Sequence, residues 1–186
     1  MRPVSGALGS EVVEVKSPDL YADLVPGISG AGFRLGESLE VVEERIGPVE
    51  WFENDCDLQE VLAKSHGWVG VVSNIGQAIG LGIKEISFSY MDDVVSLFFE
   101  EKKILYRILV GKGYLGGGLG VRPGDSVLEL SSLYKVEFNC EDDEFFVVGG
   151  GGVVEGVSFI TDYRASLEYV PEQVIQYISI HDWELR

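Results

Sequence analysis

Residues 104–121 read ILYRILVGKGYLGGGLGV, which places a literal G-x-G-x-x-G at Gly111, Gly113 and Gly116 directly after an apolar run. Cradling a pyrophosphate requires the third glycine to open a helix, so that the first free amides and the helix dipole meet the phosphate. Gly116 instead runs into Gly117, Gly118, Leu119 and Gly120, which is poor helix material. The next predicted helix begins only at Ser126. A Walker loop needs Lys then Ser or Thr after its last glycine, whereas Lys112 is followed by Gly113. The glycines are therefore expected to act as a hinge, flexible or tightly turned, between two halves of the chain.

The remaining reactive side chains are sparse or too common to single out. His66 and His181 lie far apart, and Cys56 and Cys140 have no C-x-x-C spacing, so the usual zinc patterns are missing. Neither G-x-S-x-G nor H-E-x-x-H occurs. Two acidic clusters stand out, ENDCDLQE at 53–60 and EDDE at 141–144. Neither has the mid-loop glycine and closing glutamate of an EF-hand. With 31 Asp and Glu in 186 residues, no single carboxylate pair points to acid–base hydrolysis. The sequence thus offers no catalytic residue, cofactor site or metal ligand. The clusters read as solvated loops, and Asp55, Asp57, Glu141, Asp142, Asp143 and Glu144 are the candidate contacts to a protein partner.

The elements that would carry these loops follow from periodicity. Ser38 can cap a helix in which Leu39, Val42 and Ile46 share a face, with Glu40 in the first turn and Gly47-Pro48 at the end. VEWF follows as a strand. DLQEVLAK is a second helix candidate, with Asp57 and Glu60 spaced as a capping box. WVGVVSNIGQAIGLGIKE is glycine-broken and reads as strand and loops. EISFSY, VVSLFF and ILYRILV, separated by MDD and EEKK, predict an antiparallel meander. Ser126 and Glu129 form another capping box ahead of a third helix. EFFVV, VVEGVSFITDY and QVIQYISIHDW read as strands, the last with Ile175, Tyr177 and Ser179 on one side. The aromatics, among them Trp51, Trp68, Tyr90, Phe98, Phe99, Phe145 and Phe146, fall mostly in predicted strands and are expected to be mostly core. LFF and EFF place a ring on each side of a strand.

An internal match links the halves. GFRLGESL at 32–39 aligns with GVRPGDSV at 120–127. The register continues along both helix faces, and VEW at 49–51 falls over VEF at 136–138 after one deletion. The predicted class is α+β, with two tandem helix-plus-antiparallel-sheet repeats forming one curved sheet or two packed halves. The expected division is an arm over 1–29, a first repeat over 30–112 and a second over 113–186.

Charge is the strongest global feature. The 14 Lys and Arg leave a formal −17, spread along the chain. Such a surface repels phosphate and anionic lipid and attracts cationic partners, so neither nucleic acid nor membrane is an expected partner. The opening MRPVSGALGS has no secretory or membrane-spanning apolar run.

The G-x-R-x-G-x-S unit, leading into a short helix and then antiparallel strands, resembles the repeat of beta-lactamase-inhibitor-protein-like domains, shared with small outer-membrane assembly lipoproteins. The resemblance covers residues 32–51 and 120–138 and, with the downstream strands, most of 30–163. It implies a curved sheet whose concave face grips a protein. This sequence departs from the family in lacking a signal peptide, a lipid-attachment cysteine and the disulfides expected of the family, which implies a cytoplasmic binding module. An acidic single-domain chain of this kind also resembles a bacterial immunity protein, which blocks the active site of a cognate, basic toxin. The alternative expectation is a small-ligand carrier or an enzyme using a cleft between the halves.

Overall fold

The computed structural model describes residues 16–53, 58–75 and 82–186. A two-stranded ribbon, β1 (Ser29–Gly30) and β2 (Phe33–Arg34), leads into α1 (Leu39–Ile46), followed by β3 (Glu50–Glu53) and α2 (Leu58–Lys64). Four longer strands come next: β4 (Trp68–Ile75), β5 (Ile83–Tyr90), β6 (Val95–Phe99) and β7 (Leu105–Val110). Beyond the glycine-rich segment lie α3 (Val127–Leu133), β8 (Lys135–Asn139), β9 (Glu144–Gly149) and β10 (Gly152–Val153). β11 (Val157–Thr161), β12 (Ile175–His181) and a 3-10 turn, Trp183–Leu185, end the described chain. The fold is mixed α and β and mostly sheet. β3 to β12 form one ten-stranded sheet in the order β10-β9-β11-β12-β7-β6-β5-β4-β3, with β8 also paired to β9. No described helix is long and apolar enough to cross a membrane.

The two turn-helix units are built alike. Each opens with a tight turn of left-handed residues, Ala31 and Gly32 (φ 54° and 83°) in one, Leu119 and Gly120 (φ 55° and 84°) in the other. The Arg34 amide then donates to the Glu37 carboxylate (3.3 Å) and the Arg122 amide to the Asp125 carboxylate (2.9 Å). Ser38 caps α1 through the Val41 amide, and Ser126 caps α3 through the Leu128 amide. The Glu129 side chain takes no part in this second cap, so the predicted box is only half formed. Backbone ties to the central strands also correspond. Gly36 N–H donates to Leu105 O and Leu105 N–H to Glu37 O; Gly124 N–H donates to Ile175 O and Ile175 N–H to Asp125 O. β7 and β12 are neighbours in the middle of the sheet, pairing Leu109 with Ser179.

The strands differ from the alternation read in the sequence at two places. Phe98 pairs with Arg107 and Phe99 with Leu105, leaving Tyr106 as an extra residue. Ile160 pairs with Tyr177 and Thr161 with Ile175, leaving Gln176 extra. A bulge of this kind flips every later side chain to the other face. Ile175 is therefore fully buried among Ile178 and Ile180, while Tyr177 and Ser179 point to the opposite face, a correction to the side assignment made from periodicity. The expected correspondence of VEW and VEF also fails at the level of topology. β3 lies parallel to β4 at the sheet edge, whereas β8 pairs antiparallel with β9.

One face of the sheet carries the main core. Phe88, Leu97, Phe99, Ile108, Phe159 and Ile178 pack there against Leu39, Val42 and Ile46 of α1 and Val127 and Leu130 of α3. Complete burial stabilises by about 1.5–3 kcal/mol for each large apolar side chain, so this layer fixes the sheet. α2 covers the end of the other face, where Leu62 packs on Val69 and Val71.

The glycine-rich segment is closely packed, backbone against backbone. A Cβ on Gly116 would stand 2.1 Å from the Ala22 carbonyl oxygen, and one on Gly111 would stand 2.7 Å from both Asp93 O and the Tyr177 ring. The amides of Leu115 and Gly116 both donate to Leu20 O, and Leu24 N–H donates to Gly117 O. Tyr114, buried, donates its hydroxyl to Ala22 O (2.6 Å) and accepts from the Ala31 amide (3.1 Å). Burial pushes this phenol up to about 12. The glycines permit close backbone approach to residues 20–24.

Candidate functional site

The face of the sheet opposite α1 and α3 is largely polar and lines a cavity. Ser87 and Ser89 of β5 share this side with Ser96 and Phe98 of β6, Arg107 and Leu109 of β7, and Tyr177 of β12. Together with the α2 residues Leu58 and Leu62 they enclose a cavity of about 510 Å³. Glu85, Arg107, Asp142 and Glu144 also border a second cavity of about 620 Å³, which extends the groove to Phe146, Trp183 and Arg186. Its small floor is legible in EISFSY: alternating serine and phenylalanine send the rings to the core and the hydroxyls into the groove.

Arg107 organises the centre. Its Nη2 donates to Glu144 Oε1 and its Nε to Ser179 Oγ, each at 2.8 Å, and Ser158 donates to the other Glu144 oxygen. The guanidinium also lies 5.8 Å from the Phe98 ring centre and 5.6 Å from that of Trp183. His181 stacks on Trp183 with centroids 4.4 Å apart, and its Nδ1 is 3.3 Å from Ser179 Oγ. Burial and then the Arg107 charge push this imidazole down to about 4, so it is neutral at pH 7. The Ser179–His181 pair has the contact of a nucleophile and its base. Ser179 has no exposed surface and His181 only 4%.

Beside this network, Tyr106 donates to Glu85 at 2.8 Å, and burial raises both groups above their usual ranges. Arg186 reaches back to Glu100. Ser89 and Ser96 hydroxyls are 3.0 Å apart, and Ser96 donates to Asp93. Tyr177 is raised by burial and further by the charges of Asp93 and Asp92. Met91, Asp92 and Asp93, which turn β5 into β6, all have left-handed φ of 44° to 61°.

Of the sequence-predicted contacts, Asp55 and Asp57 lie outside the described residues. Glu141, Asp142 and Asp143 are exposed on the β8–β9 loop. Asn139 holds that loop, donating to Asp142 (2.8 Å) and accepting the Glu141 amide (2.9 Å). Glu144 departs from the solvated-loop expectation. It is 7% exposed and its carboxylate is paired inside the groove, because β9 begins there and turns it inward. The structure brings Glu141, Asp142 and Glu144 to one groove; Asp143 is not among its lining residues. Sequence reading missed Glu85, Ser87, Arg107 and Trp183. The charged residue in the middle of ILYRILV was the available sign of Arg107.

Cys140 is a free, exposed thiol. Among the described residues no cluster of His, Cys, Asp and Glu is arranged to hold a metal. Comparison with protein-family models, curated proteins and solved structures finds no match, so the reading of this groove rests on its own geometry.

Proposed function

We propose that this chain is a non-catalytic binding protein of the immunity type, which captures a basic cognate toxin in the cytoplasm and occludes its active site. The observation that carries this reading is the state of the rim. Asp93, Glu141 and Asp142 line the groove, with Asp92 and Asp143 adjacent to them in the chain, and none of the five is in an ion pair among the described residues. Unneutralised carboxylates at one opening, on a chain of formal charge −17, steer a cationic surface toward it. The matching turns, caps and bulges of the two halves support descent from a duplicated helix-plus-sheet unit. Capture from native-cell lysate tests the function. The wild-type protein should retain a basic protein and inhibit it, while the Glu141→Lys, Asp142→Lys, Asp143→Lys variant should lose it. Equal capture by both would contradict the role of the rim.

A second reading is favoured by the cavity itself. A volume of about 510 Å³ lies in the range of small-molecule sites, and the carboxylate lining would select a small cationic ligand. Calorimetric titration with polyamines and amino-acid amides distinguishes this reading, since a carrier would bind one of them tightly without any protein partner.

A further inference from the structure

One hydroxyl on the floor of the groove has no partner among the described residues of the protein. Ser87 is 8% exposed, lines the cavity between Glu85 and Ser89 on β5, and has no hydrogen-bond partner among the described residues. Its neighbours Ser89 and Ser96 bond each other. The hydroxyl opens onto the cavity rather than being sealed in the core, so it is free to accept from a donor that enters the groove.

The charges around it select the sign of that ligand. Arg107 is consumed by Glu144, and Arg186 by Glu100. Glu85, Asp93 and Asp142 remain in the lining against Arg164 alone. An anion entering here would face uncompensated carboxylates in a partly desolvated space, where repulsion is poorly screened. A cation meets acceptors instead. Phe98 and Leu109 on the floor and Leu62 on the wall suit the methylene stem that carries such a charge.

We propose that this groove seats a cationic side chain, an arginine or lysine carried on a basic segment of the protein partner, with its N–H groups donating to Ser87 Oγ and to the carboxylates of Glu85 and Asp142. This deepens the reading of the protein as a binder of a basic partner and rests on it. Arginine is the better fit, since its planar fork satisfies several acceptors at once.

The test uses the full chain and a tetra-arginine amide, followed by amide chemical shifts, with tetra-citrulline as the neutral control. The expected result is saturable shifts along β5 and β7 with arginine and none with citrulline. Ser87→Phe, which fills the cavity, should weaken binding at least tenfold, and Ser87→Val, which removes the hydroxyl at similar volume, by a few-fold. Shifts confined to Asp92, Asp93 and the 141–143 loop would overturn the proposal, as would unchanged binding by both variants in a folded state. Binding of free arginine amide as tightly as the peptide would reassign the groove to a small cation and overturn the protein segment. A captured partner sensitive to the rim charges but indifferent to both Ser87 variants would sink this seat and leave the proposed function standing. Peptide seated at β5 with no partner captured would do the reverse.

Discussion

At the scale of single residues, Arg107 and Glu144 are held together where water is scarce, and removal of one leaves the other buried and uncompensated. Breaking such a pair typically costs 3–5 kcal/mol. Arg107→Ala should therefore lose about 3 kcal/mol in urea unfolding, while Arg107→Met combined with Glu144→Gln should recover most of it, since glutamine still accepts from Ser158. Recovery is the discriminating outcome, because a merely cavity-forming effect would persist in the double variant. His181 supplies a pH signature. Its folded value of about 4 lies below the ordinary 6.5, so the neutral ring contributes stability above pH 6.5 that is lost as pH falls toward 4. The contribution is at most about 3 kcal/mol. The difference in unfolding free energy between wild type and His181→Phe should shrink across that window and stay flat above pH 7. Met91, half-exposed with φ 44°, is strained where glycine would not be. Met91→Gly should be neutral or raise stability by about 0.5 kcal/mol, the relief of left-handed strain outweighing the added chain entropy.

At the scale of elements, the glycines separate into those that admit a neighbouring backbone and those that do not. Gly116→Ala should cost more than about 2 kcal/mol, because the new methyl would overlap a carbonyl that cannot move aside. Gly150 has open space around it and an ordinary φ, so Gly150→Ala should be neutral or stabilise by about 0.4–1 kcal/mol. Thermal unfolding of the two variants side by side checks this contrast. Much of the element structure was legible. The Ser38 and Ser126 caps, the Leu39-Val42-Ile46 face and the alternating strands follow from local chemistry written in adjacent residues. The bulges at Tyr106 and Gln176 were not legible, because a register shift depends on the partner strand. For the same reason β3 could not be recognised as a parallel edge strand, nor the glycine-rich segment as a bed for residues 20–24. Of the site, Glu141 and Asp142 were legible as an acidic loop. Glu85, Ser87 and Arg107 converge only when the strands are laid side by side.

At the scale of the whole molecule, two opposed faces divide the work. One is sealed by α1 and α3 and supplies most of the apolar stabilisation, while the other stays open, with serine hydroxyls on its floor and carboxylates in its lining. Charge of one sign on so small a chain opposes compactness through self-repulsion, and moderate salt should raise the melting temperature while weakening partner capture. These opposite salt responses separate a docking role for the rim from a simple solubility role. The most direct test is the association rate with the captured partner, measured over a salt series for wild type and the rim-reversed variant. Association should fall steeply with salt for the wild type, with dissociation nearly constant, and should already be slow and salt-insensitive in the variant. Association independent of salt, or identical in both proteins, would contradict the account.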